Sequence, residues 1–392
     1  MNVDELSVIS RYVTNPLLIN GHKFDLRIYV LITSYEPLRI YIFQEGLARF
    51  ASETYTSKIN KNNKYMHLTN YSINKKNEKF IKNENIDQDD FGYKWSLGAF
   101  CRHLEQVGID MNLLWSRSYD VILKTILCGE NYVQNAMKKN GTHRTNCFEI
   151  LGFDILIDSD LKPWLLEVNL SPSLACDSPL DMQIKSNLIT DSFNLCGMKR
   201  FDRKKESLNK IKHRMKGLYT KNTKKTNLGN GIQGTGLTPS GMLNTEIYGQ
   251  NSSLQLQNYI DKFVSENPVE FSSLFEPLKK AANLKYKEYL KETIIENTRK
   301  NYFLRIYPAR GAEMYDMYFQ HSRPYNKVIN KVLFSDEVIK NYGKLAHSSN
   351  GGPQPEKQLG YEMKLPPTSY EQYKRMNEGK QNSSHQNLKQ VG

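Results

Sequence analysis

The chain has 392 residues, 39% of them hydrophobic and 24% charged, with a formal net charge of +13. That allows two or three domains and a sizeable buried core. No run of 18 apolar residues is present and the start, "MNVDELSVIS", is acidic and polar, so neither a membrane-spanning helix nor a secretory leader is expected. The five cysteines, Cys101, Cys128, Cys147, Cys176 and Cys196, are odd in number and show no C-x-x-C spacing. They read as free thiols of a reducing compartment, which points to the cytoplasm.

In chain order, "SVISRYV", "FDLRIYVLITS" and "LRIYIFQ" read as strands, with "YEP" turning the chain between the last two. "EGLARFA" follows as a short strand or an edge, and "MHLTNYS" is an apolar-flanked island in a polar loop. Helices are expected from Lys94 to Val107 and from Leu113 to about residue 137. A hairpin follows at residues 148–170. A further helix starts at Asp177–Pro179, with Ser178 as N-cap, and stops at Gly197. Residues 226–254 are rich in Gly, Ser, Thr and Asn and read as a linker. Helical patterns resume at 254–265 and 273–300, and from about residue 345 the composition predicts a disordered tail.

The hairpin raises a chemical question. "GFDILIDSDLKPWLLEVNLSP" is two apolar strands around an Asp-Ser-Asp turn, with carboxylates inside both strands. A turn near residues 160–161 sets Asp154 opposite Glu167. Alternation then puts Glu167 and Asn169 on one face, and Trp164, Leu166 and Val168 on the other. Opposed like charges with Cβ atoms about 5 Å apart are destabilising. A shared proton or a divalent cation would offset that repulsion. Asp, Glu and a side-chain amide form an oxygen set suited to Mg²⁺. A register shifted by one residue would instead turn the two acids to opposite faces.

"KFDLRIYVLI" places Lys23, Asp25 and Arg27 on one strand face, as a local ion pair or as the charged lining of a cleft for phosphate or carboxylate. Arg49 joins that row if its strand packs alongside. His67 to Asn70, "HLTN", reads by itself as turn chemistry. No G-x-x-x-x-G-K-S/T loop occurs, and "GNGIQGTG" lacks the flanking strand and helix of a dinucleotide site. Residues 199–225 hold twelve Lys or Arg against two acids, with Leu208, Ile211, Met215 and Leu218 at helical spacing. An amphipathic basic helix for an acidic partner is expected; no nucleic-acid signature accompanies it, so nucleic acid is the weaker choice.

Taken in order, "RYVTNPLLINGHKFDLRIYVLI", "EGLARFA", "HLTNYSINK", "GFDILID" and "KPWLLEVNLSPSL" resemble the tubulin tyrosine ligase-like family, in its glutamate-adding branch. The resemblance covers about residues 7–197 and continues more weakly through the basic segment and "FLRIYPARGAEMYDMYFQ". It implies an α+β chain carrying the C-terminal part of an ATP-grasp fold, mainly antiparallel sheet with flanking helices, plus a basic helical extension. The implied division is 1–197 partial catalytic domain, 198–225 microtubule-binding segment, 226–254 linker, 255–344 helical extension and 345–392 tail. It implies ATP and Mg²⁺, with Asp154, Glu167 and Asn169 resembling the metal-binding set. Lys23, Asp25, Arg27, Arg49, Thr69 and Asn70 resemble groups that bind phosphates and the incoming amino acid, with Arg27, Arg49 and Glu167 as catalytic residues. Ser10, Arg11, Tyr12 and Val13 resemble the hinge that meets adenine.

The activity implied is addition of free glutamate to tubulin side chains through an acylphosphate, by a monomer on the cytoskeleton, at a cilium or basal body. Arg203, Lys204, Lys205, Lys210, Lys212 and Arg214 would meet the acidic tubulin tails. The family carries a large part before its R-Y-x-x-N-P stretch, with a phosphate-binding lysine and a Gly-rich flap. Met1 lies ten residues before Arg11, so the chain as given is expected to bind ATP poorly and ligate little. A microtubule-binding module without catalysis is the alternative.

Overall fold

The computed structural model describes residues 9–56, 63–85, 88–140, 147–198, 202–204, 207–208, 210–212, 214 and 280–334. The expected linker, the helical pattern at 254–265 and the expected tail lie outside these residues.

Two long strands form the centre, β2 (His22–Tyr35) and β3 (Leu38–Thr54), after a two-residue β1 (Leu18–Ile19). Their β-branched and aromatic content suits a pleated surface packed on both sides. The turn falls at Glu36–Pro37, as the sequence predicts. "EGLARFA" is the second half of β3 and no separate strand; between the pairs Ile28–Gly46 and Val30–Ile42, one residue of β2 faces three of β3. Gly46 sits at this irregularity because a Cβ there would run into the Arg27 carbonyl oxygen.

The sheet order is β4–β3–β2–β5–β6, with β4 (Lys94–Ser96), β5 (Glu149–Ile157) and β6 (Pro163–Asn169). Strand β1 pairs with β2, β7 (Phe303–Tyr307) pairs with β3, and every pairing is antiparallel. The fold is α+β, a mostly antiparallel sheet with flanking helices.

Alternation along β2 divides the molecule. Phe24, Leu26, Ile28, Val30 and Ile32 point into the main core. There they meet α3 (Leu97–Gln106) and α4 (Met111–Asn140), which follow the one-turn helices α1 (Lys64–His67) and α2 (Tyr71–Asn74). The opposite face is apolar at Tyr29 and Leu31, where α5 (Pro179–Cys196) covers it through Leu180, Ile184 and Leu188. Toward the start of β2 the same face becomes Arg27, Asp25 and Lys23. The charged surface thus begins where the N-terminus of α5 ends its cover.

Helix α5 keeps its predicted ends: Ser178 Oγ accepts from the Asp181 amide, Pro179 opens the first turn and Gly197 closes in the left-handed region at φ 71°. Past α6 (Lys280–Thr298) and β7 come a 3₁₀ helix (Ala312–Tyr318) and α7 (Pro324–Leu333). Arg323 binds Glu130 of α4 at 2.6 Å, and Asn326 bonds both the amide and the carbonyl of Leu38, fastening this last unit to the sheet.

Four expectations are corrected. Residues 9–13 have no regular structure; the segment before Asn15–Pro16 finds no ladder partner, and Tyr12 is held by a side chain instead. Lys94 lies in a strand, because Ser96 accepts from Ala99 N and starts the helix at Leu97. The hairpin is buried only on one side: β5 lies inside the sheet, whereas β6 is its edge, with Leu166 51% exposed. The pairing Ile155–Leu165 also makes Leu166 an extra residue, so Trp164, opposite Leu156, shares the face of Glu167. Among the described residues no helix is long and apolar enough to cross a membrane.

Candidate active site

The charged face is a checkerboard written by strand register. Lys94, Arg49 and Asp25 lie side by side on β4, β3 and β2. In the neighbouring row, Arg27, Asp154 and Glu167 lie side by side on β2, β5 and β6. Phe153 and Ile155 point into the main core, which leaves Asp154 and its partner Glu167 on the other side of the sheet. The carboxylates therefore share a face, as the hairpin argument requires.

Arginines stand between Asp25 and Asp154. Arg27 forms a two-pronged pair with Asp154, Nε to Oδ1 at 2.5 Å and Nη2 to Oδ2 at 3.0 Å. Arg49 grips Asp25 the same way, at 2.7 and 2.6 Å, and reaches Asp154 Oδ2 at 2.7 Å. Side-chain exposure is 12% for Arg27, 11% for Arg49 and 3% for Asp154, so these pairs are buried, not the surface contacts of an exposed strand. Burial by itself raises the Asp154 carboxyl; the hydrogen bond from Arg27 and the charge of Arg49 outweigh it and hold the group below the ordinary carboxylate range. Arg49 is correspondingly raised: burial disfavours its charge, and Asp25 and Asp154 more than compensate.

The loop after α1 closes one side. Thr69 Oγ1 donates to Asp25 Oδ2 at 2.8 Å, and Asn70 lies exposed at the start of α2. Asn74 sets this loop. It is fully buried, accepts from the Ser52 amide and hydroxyl, and donates to the carbonyls of Leu68 and Asn70. On the same side the Lys23 ammonium lies 4.7 Å from the Tyr12 ring centre, and the Tyr12 hydroxyl meets His67 Nδ1 at 2.7 Å. Burial pushes Lys23 below the usual lysine range, with Asp25 opposing. Ser10 and Arg11 are exposed, Val13 half-buried.

The opposite end is open. Glu167 is exposed, and Asn169 Nδ2 donates to Glu167 Oε1 at 3.1 Å and to the Gly152 carbonyl at 3.3 Å. This leaves Asn169 Oδ1 for another donor or a cation. Asp154 offers about four lone-pair directions and the arginines take three of them, two at Oδ2 and one at Oδ1. Glu167, Asn169 Oδ1 and the remaining direction of Asp154 Oδ1 make a sparse, hard-oxygen set. Such a set fits a Mg²⁺ ion that keeps waters and phosphate oxygens. It does not form a cage: among the described residues no group of three or more His, Cys, Asp or Glu is disposed around one metal position.

Gly152 makes room for this arrangement. A Cβ there would lie 2.8 Å from Pro172 Cβ and 3.4 Å from Arg27 Cδ. Gly152→Ala is expected to lose about 1–3 kcal/mol in chemical denaturation, because the added methyl group meets Pro172 too closely. A stability equal to wild type would show that the Pro172 loop moves aside freely.

Three participants escaped the sequence reading. Lys94 was hidden by its assignment to a helix, although the Ser96 cap signals the true start. Gly152 and Asn74 act through tertiary contacts that leave no local pattern. The basic segment is described only in part: Arg203, Lys204, Lys210, Lys212 and Arg214 are helical and exposed, while Lys205 lies outside the described residues. Leu208 and Ile211 are 57% and 52% exposed, so among the described residues nothing covers this part of the expected apolar stripe, and Met215 and Leu218 lie outside them.

Apart from Lys94, the checkerboard is built from residues that prompted the resemblance, and residues 1–206 match the profile of the tubulin-tyrosine ligase family. The chain belongs to the tubulin-tyrosine ligase family. Among its relatives, the tubulin polyglutamylase TTLL5 of Homo sapiens is 51% identical over 198 residues, covering 50% of this chain and 16% of the relative. The Mus musculus tubulin polyglutamylase TTLL5 aligns over 338 residues at 37% identity, covering 86% of this chain and 24% of the relative. The Mus musculus tubulin monoglutamylase TTLL4 is 49% identical over 191 residues, covering 48% and 16%. The chain thus matches about a quarter or less of the length of these tubulin-tyrosine ligase family proteins.

Proposed function

We propose that this chain forms part of the catalytic domain of an ATP-dependent ligase that adds glutamate to glutamate side chains of tubulin. The observation that carries the reading is the placement of Asp154 and Glu167 opposite each other on one face, beside Arg27 and Arg49. That placement occurs in a family whose related members are named for tubulin glutamylation.

A carboxylate is a poor acyl donor. In the proposed reaction the γ-phosphoryl of ATP passes to the acceptor carboxylate, giving an acylphosphate and ADP. The amine of free glutamate then attacks the acyl carbon, the carbon–oxygen bond to phosphate breaks, and the nitrogen releases a proton. Arg27 and Arg49 offer fixed, partly buried donors to the charge that develops on phosphate oxygens. Asp25 and Asp154 hold those guanidiniums in place. Lys23 and the 10–13 segment lie on the nucleotide side in this reading, with Thr69 and Asn70 closing the centre. Bound Mg²⁺, held by Glu167, Asn169 and Asp154, would neutralise phosphate charge.

The cationic residues of the basic segment supply docking on acidic tubulin tails, and thereby localisation to the cytoskeleton, including cilia or basal bodies. Their attraction weakens as salt screens it. Neutralising Lys204, Lys205, Lys210 and Lys212 together is expected to lower microtubule co-pelleting about tenfold or more at low salt, with little change in turnover of a short free peptide. An unchanged salt dependence would remove this segment from the interface.

The reading as a whole is tested by ATP-dependent incorporation of labelled glutamate into tubulin, run beside co-pelleting. Pelleting without incorporation would favour the docking-module reading, and RNA outcompeting tubulin at matched salt would overturn both.

A further inference from the structure

Beside the checkerboard, Lys94, Asp181 and Lys185 form a second charged cluster that phosphoryl transfer leaves unused. Asp181, fully buried in the first turn of α5, takes Lys94 Nζ on Oδ2 at 2.7 Å and Lys185 Nζ near Oδ1 at 3.3 Å. Ser178 Oγ also donates to Oδ2, at 3.0 Å. Two ammonium groups thus share the Asp181 carboxylate, with Asp177 a weaker, more distant acidic influence on Lys94. Lys185 additionally donates to the Ala175 carbonyl and ties down the loop before α5. Lys94 is fixed on its other side by the Tyr71 ring, 4.2 Å from Nζ.

An ammonium has three donors, and the bond to Asp181 uses one of those on Lys94. Its side chain is 11% exposed, so the group is immobilised yet reachable. The flanking cation Arg49 is committed to Asp25 and Asp154, and Arg27 to Asp154. Burial lowers the Lys94 pKa and Asp181 opposes the shift. Desolvation of this kind makes an ammonium respond strongly to an incoming anion. Three strand spacings, about 14 Å of backbone, separate Lys94 from Asp154. A carboxylate bound at Lys94 is therefore a second one, not the carboxylate activated beside Asp154 and Glu167.

We propose that Lys94, fixed between Asp181 and the Tyr71 ring, receives the side-chain carboxylate of the incoming glutamate and so selects glutamate over glutamine. The assignment rests on the glutamate-ligase reading, but its test needs no turnover. Binding of L-glutamate and L-glutamine to the 392-residue chain would be followed by ligand-observed NMR for wild type, Lys94→Met and Lys94→Arg. A double variant, Lys94→Met with Asp181→Asn, removes both partners of the buried pair and guards against misfolding. Wild type is expected to prefer glutamate, Lys94→Met and the double variant to weaken glutamate about tenfold or more while sparing glutamine, and Lys94→Arg to keep most of the preference. A purely structural lysine would lower the melting temperature without changing the ratio of the two ligands.

Equal binding of both ligands by wild type, or a preference that survives Lys94→Met, overturns the assignment. So does a Lys94→Met defect confined to binding of an acidic tubulin-tail peptide, with glutamate binding unchanged, which would give Lys94 to the acceptor chain. Glutamate selectivity at Lys94, with no glutamate incorporated into tubulin by the full-length protein, would leave Lys94 in its role and remove the ligase reading instead.

Discussion

Asp154→Ala is expected to destabilise the fold by about 3–5 kcal/mol and to abolish glutamate incorporation. The aspartate is 2% exposed and takes three hydrogen bonds from two guanidiniums. Removing it leaves Arg27 and Arg49 side by side without the charge that separates them, and breaking a buried pair in this way has effects of that size. Asp154→Asn keeps the shape but not the charge; its stability loss should be smaller and its turnover should still fall about a hundredfold or more.

The pH dependence follows from the direction of the shift. The folded-state carboxyl lies below its ordinary value of 3.8, so the unfolded chain binds the proton more readily. The Asp154 contribution is complete above that ordinary value and disappears as pH falls through the depressed folded value. Denaturation at pH 7, 4 and 3 should show the stability gap between wild type and Asp154→Asn closing on acidification. A gap that stays constant would mean the charge of Asp154 is immaterial to folding.

Glu167→Gln is expected to do the reverse, leaving the fold intact and stopping the chemistry. Glu167 is exposed on the edge strand, and its one named contact is the Asn169 amide. Glutamine accepts that bond equally well, so stability should change by about 0.5 kcal/mol or less. The variant loses the negative charge that would hold a cation against transferring phosphate, and the rate should fall about a thousandfold in single-turnover measurements on full-length protein. A loss confined to the KM for ATP would make Glu167 a binding group with no part in the transition state.

The contrast between the two carboxylates bears on what a sequence discloses. Their opposition was legible, because the Asp-Ser-Asp turn and the alternating apolar residues fix the register between Asp154 and Asn169. The bulge at Leu166 was not, since an extra residue in an edge strand leaves the local composition unchanged, and Trp164 was consequently put on the wrong face. Arg27 and Arg49 were legible as charges in strands, but their shared grip on Asp154 depends on β2 lying between β3 and β5. "SRYV" looked like a strand because Tyr and Val favour one, yet strand propensity has no effect without a neighbour to pair with. Lys94 shows the limit most plainly: a three-residue strand is defined by its partner, and only pairing with Arg49 brings it to the charged face.

Mass spectrometry of tubulin tails, after incubation with full-length protein, ATP and glutamate, tests the central claim most directly. Wild type should yield tails carrying added glutamates, and Glu167→Gln, folded and equally soluble, should yield none. Equal numbers of added glutamates from both proteins would contradict the account.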